Sequence, residues 1–302
     1  MTPSTNSQTG STRRCAVLGH PIDHSLSPSM HRAAYQYLGL EWSYDAFDVE
    51  EGGLATFVHA CDAQWRGLSL TMPLKVEALD VATKVEPLAR TLQSVNTLIL
   101  EGGEIVGYNT DALGLQHVIE AGLGPDPGPT SVTVLGAGAT ARSALGALGA
   151  LGALAASGDA LDIQSVTVCA RRPQAVEQLI TLGSELGLVM NAGSWPPAHL
   201  AGEDGGHRVL VINTLPLPAA SQLAGSFSGA GLLIDVLYHP WPTPLAQRWA
   251  DNGGVVIGGV EMLVMQGVAQ ATLMTGREVP PHVLRDAAMG ELDRRNIAQA
   301  EQ

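Results

Sequence analysis

The sequence predicts an α/β protein made of two units, each built around a mostly parallel β-sheet. Its 302 residues are about twice the length of a typical domain of roughly 150 residues. From Arg14 onward, short β-like runs alternate with helical patterns, which is typical of parallel sheets. A loop rich in Gly and Pro at 122–130 interrupts this alternation, and the pattern restarts with Ser131–Leu135. The restart indicates a second α/β unit.

The first unit opens with a strand, a helix and further strands. Its predicted strands are Cys15–Leu18, Ser43–Val49, Gly67–Thr71 and the arms of a hairpin from Val95 to Tyr108 that turns at Gly102-Gly103. A helix is predicted to begin with Ser27 as its N-cap and Pro28 in its first position, because these residues favour helix starts. Gly39 is its predicted end. A second helix is predicted to begin at Pro73.

The second unit repeats the strand and helix alternation. Its predicted strands are Ser131–Leu135, Val166–Cys169, Val209–Ile212, Leu232–Leu237 and Val255–Ile257. Two helical stretches, Met262–Thr275 and Pro281–Asn296, close the chain, and we expect one of them to pack back on the first unit. The predicted organisation is therefore a disordered leader at 1–13, a discontinuous first unit at 14–112 and 259–302, and a second unit at 113–258.

Composition narrows the class of protein. The net charge of -13 disfavours a nucleic-acid-binding role, because phosphate backbones require basic patches. The three cysteines are scattered and form no C-x-x-C pair, which argues against disulfides or a zinc site and favours the reducing cytoplasm. We therefore expect no metal. We also expect no membrane partner, since the longest weakly apolar run is too short to span a bilayer. The sequence leaves open whether the protein is a monomer or a homodimer.

A glycine-rich turn predicts dinucleotide binding. Gly136-Ala137-Gly138-Ala139-Thr140-Ala141 follows a predicted strand, opens a helix and matches the pattern G-x-G-x-x-G/A. The first Gly permits the tight turn, and the second lets backbone amides approach a pyrophosphate at the helix N-terminus. A structural turn in any α/β protein is the alternative interpretation, because the motif by itself is weakly specific.

The end of the next strand favours NADP over NAD. Enzymes that use NAD usually place an acidic residue there to bind the ribose hydroxyls. Here the strand ends in Cys169-Ala170-Arg171-Arg172, and two guanidinium groups suit a 2′-phosphate. The alternative is a solvated pair at a helix start, although cations are disfavoured at that end of a helix.

Three further segments carry candidate chemistry. Lys75 is one of only two lysines beside fourteen arginines, and lysine can deprotonate more readily than arginine. Asp111 near such a lysine makes a proton-handling pair, while the alternatives are an exposed lysine and a helix-capping aspartate. Ser25 and Ser27 lie at a helix start, where an anionic carboxylate is favoured; ordinary capping by Ser27 is the alternative.

From Arg14 to about Gly290, the chain resembles the shikimate dehydrogenase family in its motifs and in their order along the sequence. These motifs are His24–Pro28 with His31, Leu70–Lys75, Val95–Thr97, Gly107–Asp111, the glycine loop, Asn213–Pro216, Asp235–Pro240 with Thr243–Leu245, and Met262–Gln266. The resemblance implies that 14–112 and 259–302 form a substrate-binding catalytic domain and that 113–258 form a Rossmann-like dinucleotide-binding domain. It also implies reversible NADPH-dependent reduction of 3-dehydroshikimate to shikimate, a small-molecule substrate.

The resemblance also implies roles for individual residues. Lys75 and Asp111 would be the catalytic pair. The substrate would be bound by Ser25, Ser27, Thr71, Asn96, Tyr238 and Gln266. NADP would be bound by Gly136, Ala137, Gly138, Ala139, Arg171, Arg172, Asn213, Thr214, Gly259 and Met262.

Some positions depart from the family pattern. Ser69 stands where an Asn is usual, Arg32 follows His31 in place of Asn, and Glu261 replaces a Gly beside Met262. Arg32 is expected to threaten the assignment most, because its side chain could reach the substrate carboxylate. The alternatives left open are a quinate or aminoshikimate dehydrogenase, a catalytically silent ligand-sensing protein of the same fold, and an unrelated NADP-binding module.

Overall fold

Two six-stranded sheets form the framework of the chain. The computed structural model describes residues 12–125, 128–154, 161–197, 200–201, 208–223, 225, 227–228 and 231–300. The leader predicted at 1–13 lies almost entirely outside the described residues. Mixed α/β architecture with mostly parallel strands is confirmed.

The first sheet combines parallel and antiparallel strands. Its members are β1 (Arg14–Gly19), β2 (Ser43–Asp48), β3 (Trp65–Leu70), β4 (Lys84–Val85), β5 (Thr97–Glu101) and β6 (Glu104–Tyr108). They lie in the order β2-β1-β3-β5-β6-β4. Strand β1 is parallel to β2 and β3, whereas β5 is antiparallel to both of its neighbours. The predicted hairpin turn is confirmed, with φ of 61° at Gly102 and 83° at Gly103, conformations that glycine adopts without strain.

Short helices connect these strands. They are α1 (Ser27–Tyr37), α2 (Leu54–His59), α3 (Ala78–Val81) and α4 (Pro87–Leu92). The helix predicted from Pro73 is wrong in its start: residues 72–77 form turns, and helix begins only at Ala78. The Lys75 carbonyl accepts a hydrogen bond from the Val95 amide at 2.8 Å, a tertiary contact that takes the place of a helical one.

The second sheet is entirely parallel. The remaining strands are β7 (Thr130–Leu135), β8 (Ile163–Cys169), β9 (Met190–Ala192), β10 (Leu200–Ala201), β11 (Arg208–Asn213), β12 (Phe227–Ser228), β13 (Leu232–Asp235) and β14 (Val255–Gly258). Six of them form the sheet β14-β13-β11-β7-β8-β9, and β10 pairs separately with β12. The strand order reverses between β7 and β11, which is the position where ligands bind in open α/β sheets.

Helices cover both faces of the second sheet. They are α5 (Asp111–Leu123), α6 (Ala139–Leu154), α7 (Pro173–Glu185), α8 (Leu217–Leu223) and α9 (Pro244–Asp251). One core joins α5, α6 and α7 to the sheet, and a second core joins α8 and α9 to its other face. In α6, Gly146 lies against Leu92 and Gly149 against Leu186. These glycines therefore allow α6 to approach α4 and the end of α7 closely.

The last two helices return to the first sheet. Helices α10 (Gly259–Thr275) and α11 (Pro281–Ala300) pack with α1 around a shared apolar core. The predicted return of the chain is confirmed. Helix α10 also packs along α5, so these two helices join the halves of the molecule. The exact division at 112 and 259 stays a prediction. Within the described part of the chain, no helix combines the length and apolar character needed to cross a bilayer.

Candidate active site

A cavity of about 190 Å³ opens at the carboxyl ends of β1 and β3. Its walls come from the loop after β1, the turns after β3, and helices α5 and α10. The polar residues that line it are His24, Ser25, Ser27, Ser69, Thr71, Lys75, Asn96, Asp111, Tyr238, Gln266 and Gln270. All eight predicted catalytic and substrate-binding residues are in this set. A larger groove of about 970 Å³ lies at the amino ends of the same strands and contains none of them.

Lys75 and Asp111 meet at the wall of this cavity. The Lys75 Nζ donates a hydrogen bond to Asp111 Oδ2 at 2.6 Å, and only 14% of the lysine side chain and 7% of the aspartate side chain are exposed. A buried ammonium requires such a partner, because desolvation of an isolated charge is costly. Asp111 is the first residue of α5 and makes no cap hydrogen bond there, so the capping alternative does not apply.

Asn96 fixes the other oxygen of the same carboxylate. Its Nδ2 donates to Asp111 Oδ1 at 2.8 Å, and its Oδ1 accepts from the Thr110 amide at 2.8 Å and from Thr97 Oγ1 at 3.0 Å. The hydrogen bonds that Asn96 Oδ1 accepts determine the orientation of the Asn96 amide group, since only its nitrogen can donate to Asp111. Asp111 is thereby held with one oxygen on Lys75 and the other on Asn96.

The two predicted carboxylate-binding serines flank the start of α1. Ser25 Oγ accepts from the Ser27 amide at 3.3 Å, and no side chain caps the helix. The N-cap prediction is wrong: Leu26 is the N-cap and Ser27 is the first helical residue. Both serines line the cavity, so the helix start that presents them also presents the positive end of a helix dipole to an anion.

A buried network that reaches the cavity wall at Ser69 and Gln270 was not predicted from the sequence. Gln270 Oε1 accepts from Ser69 Oγ at 2.7 Å and lies 3.3 Å from His31 Nε2, while Tyr44 donates to Ser69 Oγ at 2.6 Å. The Gln270 Nε2 donates to Thr97 Oγ1 at 3.0 Å. This network thus connects to Asn96 through Thr97. Gln270 was detectable in principle, because it lies four residues after Gln266 and therefore on the same helix face.

His31 is neutral within this network. Its ring stacks on Tyr44 with centroids 4.2 Å apart, and complete burial lowers the pKa of His31 to about 4. The Nε2 atom therefore carries the ring hydrogen and donates a hydrogen bond to Gln270 Oε1, and Nδ1 has no hydrogen-bond partner among the described atoms. Burial also raises the pKa of the Tyr44 hydroxyl, so Tyr44 stays a donor to Ser69.

The glycine loop lies at the strand-order reversal of the second sheet. Gly136 has φ of 109°, and a Cβ there would collide with Thr214 Oγ1, whose own bond to the Leu135 carbonyl is 2.8 Å. Only glycine fits this position. A Cβ at Gly138 would meet nothing within 4 Å, so open space lies directly before the amino end of α6. Backbone amides at such a helix start suit a pyrophosphate.

Arg171 and Arg172 lie exposed between the end of β8 and α7. Among the described residues neither side chain forms an ion pair. Two unpaired guanidinium groups beside the glycine loop suit a phosphate dianion. The residues present therefore fit a 2′-phosphorylated dinucleotide.

Three other predicted cofactor residues differ in their setting. The Asn213 side chain is fully buried, and its Nδ2 donates to Asp235 Oδ1 at 2.9 Å. This hydrogen bond joins the ends of β11 and β13. Gly259 begins α10 against the Val236 carbonyl, where a Cβ would collide. Met262 is buried in the core shared with α5. Their contact with a cofactor stays a prediction.

Two departures from the family pattern lie outside the cavity. Arg32 Nε donates to the Tyr44 carbonyl at 2.8 Å, and Arg32 Nη2 pairs with Asp45 at 3.0 Å. The guanidinium is thus held on β2, and the expectation that Arg32 threatens the substrate carboxylate is not supported. Glu261 pairs with Arg285 through two hydrogen bonds of 2.8 and 2.7 Å that join α10 to α11.

Comparisons with known proteins agree with this arrangement. The family profile of the shikimate dehydrogenase substrate binding domain matches residues 17–98, and that of the shikimate 5′-dehydrogenase C-terminal domain matches 259–289. The NADP(+)-dependent shikimate dehydrogenase of Citrifermentans bemidjiense is 34% identical over 93% of this chain and 96% of its own length. The chain belongs to the shikimate dehydrogenase family. It is therefore an oxidoreductase.

Other members of the shikimate dehydrogenase family extend the match. The Thermus thermophilus enzyme is 36% identical over 91% of this chain and 97% of its own length. The Mycobacterium tuberculosis enzyme structure superposes with a TM-score of 0.80 at 31% identity, covering 92% of this chain and 99% of that chain. A structure of the Thermus enzyme with NADP(H) and shikimate gives 0.75 at 33% identity, with coverage of 92% and 99%.

The fold alone does not determine the substrate. A 5-ketofructose reductase of Gluconobacter superposes with a TM-score of 0.76 at 22% identity, covering 92% of this chain and 98% of that chain. Different activities recur on one fold, so substrate preference must be argued from the residues of the site.

Proposed function

We propose that this chain is an NADP-dependent shikimate dehydrogenase that reversibly reduces 3-dehydroshikimate to shikimate on the route to chorismate and the aromatic amino acids. One observation carries the proposal: Lys75 and Asp111 are paired at 2.6 Å in a cavity that also holds Ser25, Ser27 and Asn96. The cavity is smaller than the roughly 300–1,000 Å³ of pockets for drug-sized ligands, which suits a compact ring acid.

NADPH, when bound, supplies the hydride. Lys75 donates a proton from Nζ to the carbonyl oxygen of the substrate and stabilises the negative charge that develops on that oxygen. In the reverse direction, Lys75 as the neutral amine left by that transfer accepts the proton of the shikimate hydroxyl. Asp111 holds the ammonium in place, and Asn96 fixes the carboxylate that does so. Burial of both groups strengthens these interactions, since the local dielectric is low.

The remaining residues bind and orient the two reactants. The hydroxyls of Ser25 and Ser27 bind the substrate carboxylate at the start of α1, and the ring hydroxyls meet Thr71, Asn96 and Gln266. Tyr238 closes the cavity from the side of the second sheet.

The cofactor contacts follow from the second sheet. The backbone of Gly136, Ala137, Gly138 and Ala139 binds the pyrophosphate, and Arg171 and Arg172 bind the 2′-phosphate. The nicotinamide end would be held by Thr214, Gly259 and Met262, and Asn213 supports the loop that carries Thr214 by accepting from the Leu215 amide.

The cellular setting is also part of the proposal. All three cysteines, Cys15, Cys61 and Cys169, are free thiols, and burial raises the pKa of each to about 11. Unreactive free thiols are expected in a reducing compartment. We place the enzyme in the cytoplasm, as a monomer or a homodimer that acts on small molecules.

The test is steady-state oxidation of shikimate and of quinate, each with NADP and with NAD, followed at the nicotinamide absorbance band. We expect kcat/KM with NADP to be tenfold to more than a hundredfold higher for shikimate, about the cost of an unpaired buried hydroxyl. Quinate carries that extra hydroxyl on the carbon that bears the carboxylate. Equal or better turnover of quinate would make this a quinate dehydrogenase, and no turnover of either would favour a ligand-sensing protein.

The same assay on Arg171→Ala tests the choice of cofactor. We expect roughly a tenfold to hundredfold loss of kcat/KM with NADP, because a charge-assisted bond to the phosphate is lost. Turnover with NAD should change little, since NAD lacks that phosphate. Equal losses with both cofactors would show that Arg171 does not contact the 2′-phosphate.

A further inference from the structure

The loop that carries Ser25 is held from behind by the last helix. Arg295 of α11 donates from Nη1 to the His24 carbonyl at 2.8 Å and from Nη2 to the Ser25 carbonyl at 3.1 Å. Its Nε donates to Glu291 Oε1 at 2.8 Å, which fixes the direction of the guanidinium. One rigid fork therefore holds two consecutive carbonyls of the loop.

The loop that Arg295 contacts has little regular structure of its own. Between β1 and α1, residues 20–21 are bends and 23–24 form a turn, and the Ser25 amide donates to the Ile22 carbonyl at 2.9 Å. Tyr238 donates to the same His24 carbonyl at 3.4 Å. Burial raises the pKa of Tyr238, and the nearby positive charge of Arg295 opposes this rise. The loop, Tyr238 and α11 thus meet around Arg295.

We propose that Arg295 is a positioning residue for the substrate carboxylate: it fixes the loop that presents Ser25 and Ser27. This role rests on the proposed function, because it concerns binding of the same acid. It differs from the role of Lys75, since Arg295 contacts backbone carbonyls and does not line the cavity.

Arg294 provides a matched control on the same helix. Its guanidinium pairs with Glu291 and makes no bond to the loop among the described residues. We expect Arg295→Met to raise the KM for shikimate by about tenfold, the effect of losing one or two charge-assisted hydrogen bonds, with kcat within about twofold and the KM for NADP unchanged. Arg294→Met, which removes the same charge, should leave all three values near those of the parent enzyme.

Arg295→Lys separates charge from geometry. Lysine keeps the charge but lacks the planar guanidinium that donates to two carbonyls at once. We therefore expect a KM for shikimate between those of the parent enzyme and of Arg295→Met. Full restoration by lysine would overturn the positioning role. An equal rise of KM in Arg294→Met, or an unchanged KM in Arg295→Met, would do so as well.

A second measurement does not depend on turnover. Hydrogen–deuterium exchange of the unliganded protein should be faster for amides at 20–27 in Arg295→Met than in Arg294→Met, because loss of the two carbonyl contacts frees the loop. Identical exchange in the two variants would overturn the proposal. An inactive parent enzyme would overturn the proposed function instead, and exchange would still decide whether Arg295 orders the loop.

Discussion

At the scale of single residues, the chemistry depends on how Lys75 and Asp111 are constrained. Lys75 lies in a turn after β3, and its carbonyl is tied to Val95, while Asp111 begins a helix that belongs to the second sheet's core. Asn96 holds the aspartate at 2.8 Å. Three separate segments therefore hold the pair: the turn after β3 carries Lys75, helix α5 carries Asp111, and Asn96 orients the Asp111 carboxylate.

We expect Lys75→Ala to lower kcat by about 10² to 10⁴, the usual cost of losing a general acid–base group, with a much smaller change in the KM for shikimate. Lys84→Ala is the matched control: it removes the chain's only other lysine, which pairs with Glu104 at the surface, and kcat should stay near that of the parent enzyme. Steady-state kinetics on both variants provides the measurement. A near-normal kcat for Lys75→Ala would remove Lys75 from the mechanism.

At the scale of elements, α5 and α10 cross at a contact that only glycine allows. A Cβ at Gly114 would lie 2.9 Å from the Met262 carbonyl and 3.0 Å from the Gln266 amide, both in the backbone of α10. Because α5 begins with Asp111 and α10 carries Gln266, this close approach sets the separation of two site residues. The helix contact and the site geometry therefore depend on the same glycine.

Gly114→Ala should accordingly destabilise the protein by about 1–3 kcal/mol, the usual cost of overpacking, and lower kcat/KM. The control is Gly290→Ala in α11, where a Cβ meets only the end of the Arg294 side chain at 3.9 Å. That change should stabilise the protein by about 0.5–1 kcal/mol, because alanine favours helix over glycine. Denaturant unfolding of both variants tests the contrast, and stabilisation by Gly114→Ala would show that the two helices are free to separate.

At the scale of the whole molecule, His31 makes stability depend on pH. Its pKa is lowered from 6.5 to about 4 by burial, so between these values the unfolded chain binds a proton that the folded chain does not. Stability contributed by the neutral histidine is present above pH 6.5 and falls as the pH decreases towards 4. Between about pH 7.5 and about pH 5 this loss amounts to about 2 kcal/mol.

The measurement is denaturant unfolding of the parent protein and of His31→Gln at these two pH values. We expect the loss of stability on acidification to be smaller in the variant by about 2 kcal/mol, because other titrating groups cancel in the comparison. His59→Gln, which removes an exposed histidine of α2, should keep the full loss. An identical loss in His31→Gln and the parent would show that His31 does not titrate as proposed.

The sequence by itself determined the parts of this protein that depend on local pattern. Strand and helix alternation predicted both sheets, and G-x-G-x-x-A after a strand predicted the turn at Gly136, because such a turn requires residues without bulk. The order of the motifs predicted the family and the eight residues that the cavity brings together. The two helical stretches at the end of the sequence predicted that the chain returns to the first unit.

Only the tertiary structure decided what depends on contacts between distant segments. The turns around Lys75 replaced a predicted helix, because Val95 binds its carbonyl. Arg32 turned to β2 and away from the substrate side, since Asp45 and the Tyr44 carbonyl attract it. The hydrogen bond from Ser69 to Gln270 and the one from Arg295 to the Ser25 carbonyl each join residues more than 200 positions apart. No local pattern encodes such contacts, because they exist only once the last two helices have packed against the first sheet.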